Sequence, residues 1–489
     1  MTICVMSREP VFDDNAINRE ITQQKKGSKL INWPSPNGEI YRLEILPTVY
    51  PPREDTSLLA KMIKSLGPGR GRECLEIGCG SGVLSAFSAR MGWRVSTCDI
   101  NPYAVATTRN LANQLGLNIS VYEGGPGPED EQSFAQWSNN SSYDLIFWNL
   151  PYLRYDKISD TLGPMEEAAL LDTDNLGLFQ RALYFIEKNS LIKNSGLCLF
   201  LVGEQVDFYE LQKQSSKYNF AARQVESLTF EDGETIHLIA TWKPYVNAIH
   251  EHVEEIGSTS DELLGRKSPM GSTISANFQT KGHGRKGREW KNTQRSFASS
   301  WVISDIISEE ILLDQIICGL AVKNSISCLK PDMSENLFIK WPNDVMSNEQ
   351  DGFGKLSGLL IESATIGNKH TVILGVGINL AGANANDDFA MAFLDDLEQE
   401  TDFFELKNLI CIFLAGYFED VPGLPAFKRT TMVDTINQEI KKTFSIAKQV
   451  SLEGNLISEV SMTDLGYLEI TTSKGRILCD DGDTLFWEF

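Results

Sequence analysis

Three groups of residues in this chain combine glycine, carboxylate, amide and cationic side chains at spacings that suit chemistry. The first is LEIGCGSG, where Glu76 precedes Gly78, Gly80 and Gly82, with Cys79 and Ser81 between them. Glycines placed where a strand runs into a helix let the backbone turn sharply and approach a ligand closely. Asp99 ends the next apolar run, where a carboxylate can accept hydrogen bonds from two ribose hydroxyls. The second group is NLPY, in which Asn149, Leu150, Pro151 and Tyr152 follow the apolar run YDLIFW. The Asn149 side-chain oxygen and the Leu150 carbonyl are two acceptors able to aim a nitrogen lone pair. Tyr152 can cover a planar amide. This is catalysis by positioning and needs no strong base.

The third group is spread over more than a hundred residues. GSTSDELL opens a helix with Ser258, Thr259 and Ser260. QTKGHGRKGREW, from Gln279 to Trp290, holds Lys281, Arg285, Lys286 and Arg288 against one acid, Glu289, around Gly282, His283 and Gly284. IKWPNDV brings Lys340, Trp341, Asn343 and Asp344, GKLSGLLIE brings Lys355 and Gly358, and GVGINL brings Gly375, Gly377 and Asn379. Arginine grips a phosphate bidentately, whereas lysine acts as a compact charge. The loop glycines provide the mobility for it to order over a reactive intermediate and exclude water.

The elements that must position these groups follow from the apolar pattern. From about residue 74 to 240, strand-like runs (CLEIG, RVSTCDI, YDLIFWN, GLCLFLVG) alternate with helical stretches (PYAVATTRNLANQLG, GLFQRALYFIEKNSLI). That alternation predicts an α/β, doubly wound, Rossmann-like sheet. Asn101-Pro102 is a helix start, a cap followed by proline in the first turn. RQVESLTF and TIHLIATW read as a terminal hairpin, and EGGPGPEDEQSFAQWSNNSS as an inserted loop. After WKPYVNAIHEH the strands pair more closely, interrupted by the helical run EEILLDQIICGLAVKNSISCL, which predicts an α+β domain. The short runs after about residue 440 predict a small β-barrel. The expected boundaries are an N-terminal extension over 1–45, domains over 46–245 and 246–438, and the small barrel over 439–489.

At 489 residues the chain is too long for one compact core. Its net charge of −22 argues against broad nucleic-acid binding, so any anion site must be local. The 9 cysteines include no C-x-x-C pair, and the 5 histidines form no ligand cluster with them. Free thiols in a reducing compartment, without a fixed metal site, are expected. The first residues contain too short an apolar run for a signal peptide, and no membrane span is expected. A cytoplasmic protein is the default.

The glycine turn, Asp99 and NLPY resemble class I S-adenosylmethionine-dependent methyltransferases. NLPY, together with the upstream VYPPREDTSLLA, is similar to the protein-glutamine N-methyltransferases that modify translation release factors. Over residues 40–245 the resemblance implies S-adenosylmethionine contacts at Glu76, Gly78, Cys79, Gly80, Ser81, Gly82, Asp99 and Asn149. It implies a methyl acceptor held by Asn149, Leu150, Pro151 and Tyr152. The family pattern is N-P-P-Y, so Leu150 departs from it, and the acceptor stays open between a protein amide and other nitrogens.

The third group resembles, in order and spacing, the catalytic region of biotin protein ligases, over about residues 248–385. The implied reaction is two-step. The biotin carboxylate attacks the ATP α-phosphate to give biotinyl-5'-adenylate, and a lysine of a biotin carboxyl carrier protein then attacks the mixed anhydride. Arg285 and Lys355 are the candidates to offset charge in the transition state. Gln279 and the Ser258–Ser260 turn suit the ureido ring, Trp290 or Trp341 biotin or adenine, and Asn343 and Asn379 the adenylate. Asp344 suits magnesium arriving with ATP, or the incoming lysine. Gly282, His283, Gly284, Arg288, Lys340 and Gly358 complete the expected biotin and ATP surface. Ser260 stands where the family has Asn, and His283 where it has the first Arg of the loop. Two alternatives stay open. One is a biotin-responsive DNA-binding repressor, which the acidic balance disfavours. The other is a first domain that binds S-adenosylmethionine without catalysis.

Overall fold

A computed structural model of the chain describes residues 21–22, 25–127, 137–139, 141–151, 171–172, 174, 176–204, 207–231, 233–349, 352–382, 390–395 and 400–489. The chain divides into two compact units, Met1–Lys243 with Val421–Pro425, and Pro244–Asp420 with Ala426–Phe489.

The first unit opens with an antiparallel pair, β1 (Lys29–Pro34) and β2 (Ile40–Ile45), followed by α1 (Glu54–Ser65). Its main sheet is built from β3 (Glu73–Ile77), β4 (Arg94–Asp99), β5 (Ile119–Glu123), β6 (Tyr143–Asn149), β7 (Ile192–Gly203), β8 (Ala221–Thr229) and β9 (Thr235–Trp242). The order across the sheet is β5-β4-β3-β6-β7-β9-β8. Strands β5 to β7 pair in parallel, and β8 and β9 close the edge as the predicted antiparallel hairpin. Parallel strands covered on both faces need continuous apolar runs. Leu75, Leu145, Ile146, Phe147, Leu199 and Phe200 are accordingly fully buried. Helices α2 (Val83–Arg90), α3 (Pro102–Leu115), α4 (Leu178–Lys188) and α5 (Phe208–Ser216) lie between the strands in sequence. Helix α3 starts as its sequence predicts. Asn101 caps it by accepting from the Tyr103 N–H, Pro102 fills the first turn, and Gly116 ends it in the left-handed region.

Strand order reverses between β3 and β6, with β4 on the other side of β3. Open α/β sheets bind ligands at the carboxyl ends of strands at such a switch point. The three predicted features of the first site end those three adjacent strands.

The second unit holds β10 (His250–Ile256), α6 (Thr259–Leu264), β11 (Thr273–Gln279), β12 (Arg295–Ser304), α7 (Ile311–Leu329), β13 (Leu337–Lys340), β14 (Asp344–Glu349), β15 (Gly352–Ile366), β16 (Lys369–Ala381), α8 (Phe403–Phe418) and α9 (Val433–Ile446). Its sheet runs β10-β11-β12-β16-β15-β14-β13, antiparallel except for β10 with β11. Helix α7 has the length and apolarity of a membrane span but is mostly buried inside this unit. It carries Asp314, paired with Arg429, and Lys323, paired with Glu439. It is a core helix.

The last 41 residues form a five-stranded antiparallel sheet, β20-β19-β18-β17-β21, from β17 (Gln449–Leu452), β18 (Asn455–Met462), β19 (Leu468–Thr472), β20 (Gly475–Cys479) and β21 (Leu485–Glu488). Among the described residues no pairing joins β20 to β21, so these strands make a sheet with two edges.

Candidate active sites

In the first unit, the turn after β3 takes Gly78, Gly80 and Gly82 to φ values of 70°, 48° and 74°. These are left-handed values that other residues adopt only at a cost. At Gly82 a Cβ would also press within 2.6 Å of the Thr108 hydroxyl, so the turn needs glycine there for space as well. Asp99 ties this turn to the next strand. Its Oδ2 accepts the Gly80 N–H at 2.8 Å and its Oδ1 the Asn101 N–H at 2.8 Å. Its place at the end of β4 suits a pair of ribose hydroxyls. Burial raises the pKa of Asp99, against the pull of those backbone donors.

One expectation is corrected here. Glu76 was placed at the cofactor surface, but its side chain is buried and takes the Ser85 hydroxyl as donor. Burial pushes its pKa up to about 8, with the nearby Asp99 charge adding to the rise and the Ser85 bond opposing it. Residue 76 lies one position before the strand ends, so its side chain points into the packed layer beneath helix α2, where Ser85 waits. Cys79 and Ser81 are buried as well, and Cys79 Sγ accepts from the Thr108 hydroxyl at 3.2 Å. They shape the turn from beneath.

Asn149 ends β6. Its Nδ2 donates to Asp55 Oδ2 at 2.9 Å, and among the described residues its buried Oδ1 has no hydrogen-bond partner. Leu150 is buried and Pro151 half-buried. Tyr152, expected to cover the acceptor, lies outside the described residues.

In the second unit a cavity of about 590 Å³ collects the scattered motifs. Ser258, Thr259, Ser260, Gln279, His283, Gly284, Arg285, Arg288, Trp290, Lys340, Asn343, Asp344, Lys355, Gly358 and Asn379 all line it. The sequence folds this way for local reasons. Ser258 caps α6 by accepting from the Asp261 N–H. Gln279 Oε1 accepts the Thr259 N–H at 2.8 Å and its hydroxyl at 3.0 Å. Ser300 then meets Thr259 Oγ1 at 2.8 Å and Ser260 Oγ at 3.1 Å. The result is a buried polar chain along one wall. Asn343 Nδ2 donates to the Leu359 carbonyl and Asn379 Nδ2 to the Lys355 carbonyl, each at 2.9 Å, so both amides are anchored at the cavity edge.

Trp290 lies flat on the sheet. A Cβ at Gly377 would come within 2.5 Å of its indole, and one at Gly358 within 2.8 Å, so glycine is needed at both positions. The indole Nε1 is buried and, among the described residues, without a partner, a donor suited to a bound polar group. Lys355 Nζ sits 5.7 Å from the Trp290 ring centroid and 2.7 Å from Asp344 Oδ1. Burial lowers the pKa of Lys340, with Asp344 opposing and Lys355 reinforcing the shift.

Two expected residues stand elsewhere. Trp341 is in the core, and its Nε1 donates to the Gly466 carbonyl at 3.0 Å. It follows the end of β13, and its indole is buried against the turn that holds Gly466. Gly282 lies behind the wall, and its carbonyl accepts the Trp290 N–H at 2.9 Å.

The basic loop is folded down on acids that sequence reasoning did not single out. Arg285 Nη2 meets Asp481 Oδ1 at 3.0 Å, Lys286 Nζ meets Asp481 Oδ2 at 2.6 Å and Asp483 Oδ2 at 3.1 Å, and Arg288 Nη2 meets Asp483 Oδ1 at 2.7 Å. The Lys286 hydrogen bond holds Asp481 below the usual carboxylate range. Burial would raise Asp483, but Arg288 and Lys286 bring it below that range too. His283 Nε2 lies 3.1 Å from Glu362 Oε1. Burial alone would lower the imidazole pKa, but Glu362 overcomes this and holds it above its usual value. Asp55, Ser300, Glu362, Asp481 and Asp483 were all missed. Only Asp481 and Asp483 left a signal, the acidic run CDDGD placed opposite a basic loop. Among the described residues no three His, Cys, Asp or Glu side chains converge to hold a metal.

Comparison with known proteins agrees with this division. Residues 74–167 match the Methyltransferase domain family and residues 254–379 the Biotin/lipoate A/B protein ligase family. The chain therefore carries a segment similar to methyltransferase domains and a separate one similar to biotin and lipoate ligases. The first is similar to a Methanocaldococcus jannaschii protein provisionally named a protein N5-glutamine methyltransferase, at 28% identity over 187 residues, 37% of this chain and 88% of that protein. The second is similar to the biotin–[acetyl-CoA-carboxylase] ligase of Mycobacterium tuberculosis, at 34% identity over 138 residues, 27% of this chain and 49% of that protein. The chain thus spans about half the length of that curated ligase. The solved structure of Aquifex aeolicus biotin protein ligase in complex with biotin and ATP is similar at 23% identity, covering 49% of this chain and 99% of that one, with a TM-score of 0.39.

Proposed function

We propose that the chain is a bifunctional enzyme. One unit attaches biotin to a lysine of a biotin carboxyl carrier protein through biotinyl-5'-adenylate, at the expense of ATP. The other transfers a methyl group from S-adenosylmethionine to a nitrogen. The observation that carries the ligase reading is the convergence of five sequence-separated motifs on one cavity.

In the first ligase step the biotin carboxylate oxygen bonds to the α-phosphorus and pyrophosphate leaves. Both reactants are anions, so Arg285, Lys355 and Lys340 offset their repulsion and the charge that builds as they meet. Arg285 must exchange Asp481 for phosphate to do so. The Gln279–Thr259–Ser300–Ser260 chain suits the ureido ring, and Trp290 the apolar body of biotin. Asn343 and Asn379 suit the adenylate. In the second step the carrier lysine amine attacks the acyl carbon and AMP leaves. Asp344, already holding one ammonium, is placed to receive that lysine or the magnesium that arrives with ATP. The C-terminal sheet is read as the open-edged equivalent of the small β-barrel of such ligases.

In the methyltransferase unit the Gly78–Gly82 turn and Asp99 fit S-adenosylmethionine, which supplies an electrophilic methyl group when bound. The Asn149 Oδ1, buried and unpartnered, is an acceptor waiting for an N–H. A protein glutamine amide is the acceptor favoured here, in line with the name of the archaeal relative. The described cysteines are all free thiols, which fits a reducing, cytoplasmic setting.

The test uses the full chain with biotin and ATP-magnesium. Biotinyl-adenylate and pyrophosphate are expected, and Arg285→Ala is expected to slow their formation by about 10²–10³-fold. Absence of adenylate from the parent chain would overturn the ligase reading. Labelled S-adenosylmethionine in a lysate from a strain lacking this gene, followed by mass spectrometry, identifies the methyl acceptor. Label on oxygen or carbon alone would overturn the nitrogen reading.

A further inference from the structure

We infer that Asp55 is a positioning residue for methyl transfer, which fixes the Asn149 amide so that only its oxygen faces the acceptor. This rests on the nitrogen-acceptor reading and narrows it to acceptors that bring an N–H.

Asp55 lies in the first turn of α1 and is completely buried. Its Oδ2 accepts two hydrogen bonds, from the Tyr50 hydroxyl and from Asn149 Nδ2, each at 2.9 Å. Its Oδ1 accepts from the Thr56 hydroxyl at 3.1 Å and from the Thr56 N–H. The carboxylate is therefore bound by neutral donors on all sides. An asparagine amide can present either its oxygen or its nitrogen, and the two orientations differ by a half-turn of the side chain. Both Asp55 oxygens already accept from neighbouring donors, so the face toward Asn149 is an acceptor. Asp55 therefore permits only the orientation with Nδ2 toward itself. The Asn149 Oδ1 is then forced to the other side, where it is buried with no partner among the described residues.

Leaving a buried oxygen unsatisfied costs stability. The arrangement makes sense if a bound substrate supplies the missing donor. A primary amide or an amine can do so, and its lone pair is then turned away from Oδ1 toward the incoming methyl. A carboxylate or a carbonyl oxygen brings no N–H and would meet Oδ1 with repulsion. Asp55 thus sets acceptor class through Asn149 without touching the acceptor itself.

Two measurements on the full chain test this. In the first, asparagine side chains are labelled with nitrogen-15 and the Asn149 amide resonance is assigned by its loss in Asn149→Ala. Asp55→Asn, which can donate to Asn149 Oδ1 and stabilise the reversed orientation, is expected to move that resonance and speed its solvent exchange. Tyr50→Phe, which removes one donor and keeps the carboxylate, is expected to leave it near the parent position. An unchanged Asn149 signal in a folded Asp55→Asn protein would overturn the inference. In the second, methyl transfer from labelled S-adenosylmethionine to a glutamine-containing peptide is followed. Asp55→Asn is expected to lower kcat by about 10²-fold while the Kd for S-adenosylmethionine holds. Parent-like kcat in Asp55→Asn would overturn the inference. Failure of the parent chain to methylate the peptide would instead count against the glutamine reading, and the resonance measurement would still decide the role of Asp55.

Discussion

Asn149 and Glu76 are polar side chains at the same end of one sheet, and they answer burial differently. Asn149 is held by a carboxylate and keeps one acceptor open. Glu76 is satisfied by Ser85 and resists ionisation, with a pKa of about 8 against an ordinary 4.5. The folded chain binds that proton more tightly than the unfolded chain. The stability linked to it is full below about pH 4.5 and is lost as pH climbs through about 8. Glu76→Gln carries no charge at any pH. Its melting temperature relative to the parent is expected to rise steadily between those limits and level off above them, by scanning fluorimetry across pH. His283 shows the opposite residue type under the same linkage. Its pKa is raised by Glu362, so the pair is strongest below the imidazole's usual 6.5 and weakens as pH rises through the higher folded value. Release of biotinyl-adenylate from the parent is expected to quicken over that window. His283→Arg, charged throughout, is expected to give a flat profile, and a parent-like profile would remove His283 from retention.

At the scale of elements, the basic loop after β11 is ordered by the acidic turn between β20 and β21, nearly two hundred residues away. Each cation–carboxylate contact is partly exposed, so salt screens it and no single pair dominates. The network as a whole holds the loop down with three of its cations shared between two carboxylates. Phosphate must compete with Asp481 and Asp483 for the same donors. Asp481→Asn with Asp483→Asn is expected to speed amide hydrogen exchange over residues 283–289 several-fold in the absence of ATP. Added sodium chloride should mimic that effect in the parent chain and leave the double variant little changed. Equal exchange in parent and variant would mean that the turn does not hold the loop.

At the scale of the molecule, each unit has its own sheet, its own core and its own candidate site. A ligand stabilises the unit it binds by about 2.7 kcal/mol when present at a hundred times its Kd. Calorimetry is expected to resolve two unfolding transitions. S-adenosylmethionine should raise one of them, and biotin with ATP the other. A single transition shifted by both ligands would mean that the units unfold as one.

The sequence by itself determined the layers and the chemistry near each strand end. Continuous apolar runs required a parallel sheet covered on both faces, and the glycines after β3 required a tight turn. Asn101-Pro102 required a helix start. Lys355, Arg285, Trp290 and Gln279 were legible because each sits at the end or edge of a recognisable run. What only the tertiary structure decided was which side chains meet. Trp341 was indistinguishable from Trp290 as a ligand-facing indole until the turn after β13 buried it against Gly466. Glu76 was one residue short of the strand end, and that single position sent its carboxyl inward. The helices α8 and α9 were not read, although Asp402 caps α8; α9 has no side-chain cap to mark its start. Asp55, Ser300 and Glu362 were silent because a carboxylate or hydroxyl has no periodicity of its own. Its meaning depends on a partner brought close by folding, ninety-four residues away for Asp55 and Asn149. Covalent neighbours fix what an element is, whereas contacts between distant elements fix whether a polar atom is satisfied or left open for a substrate.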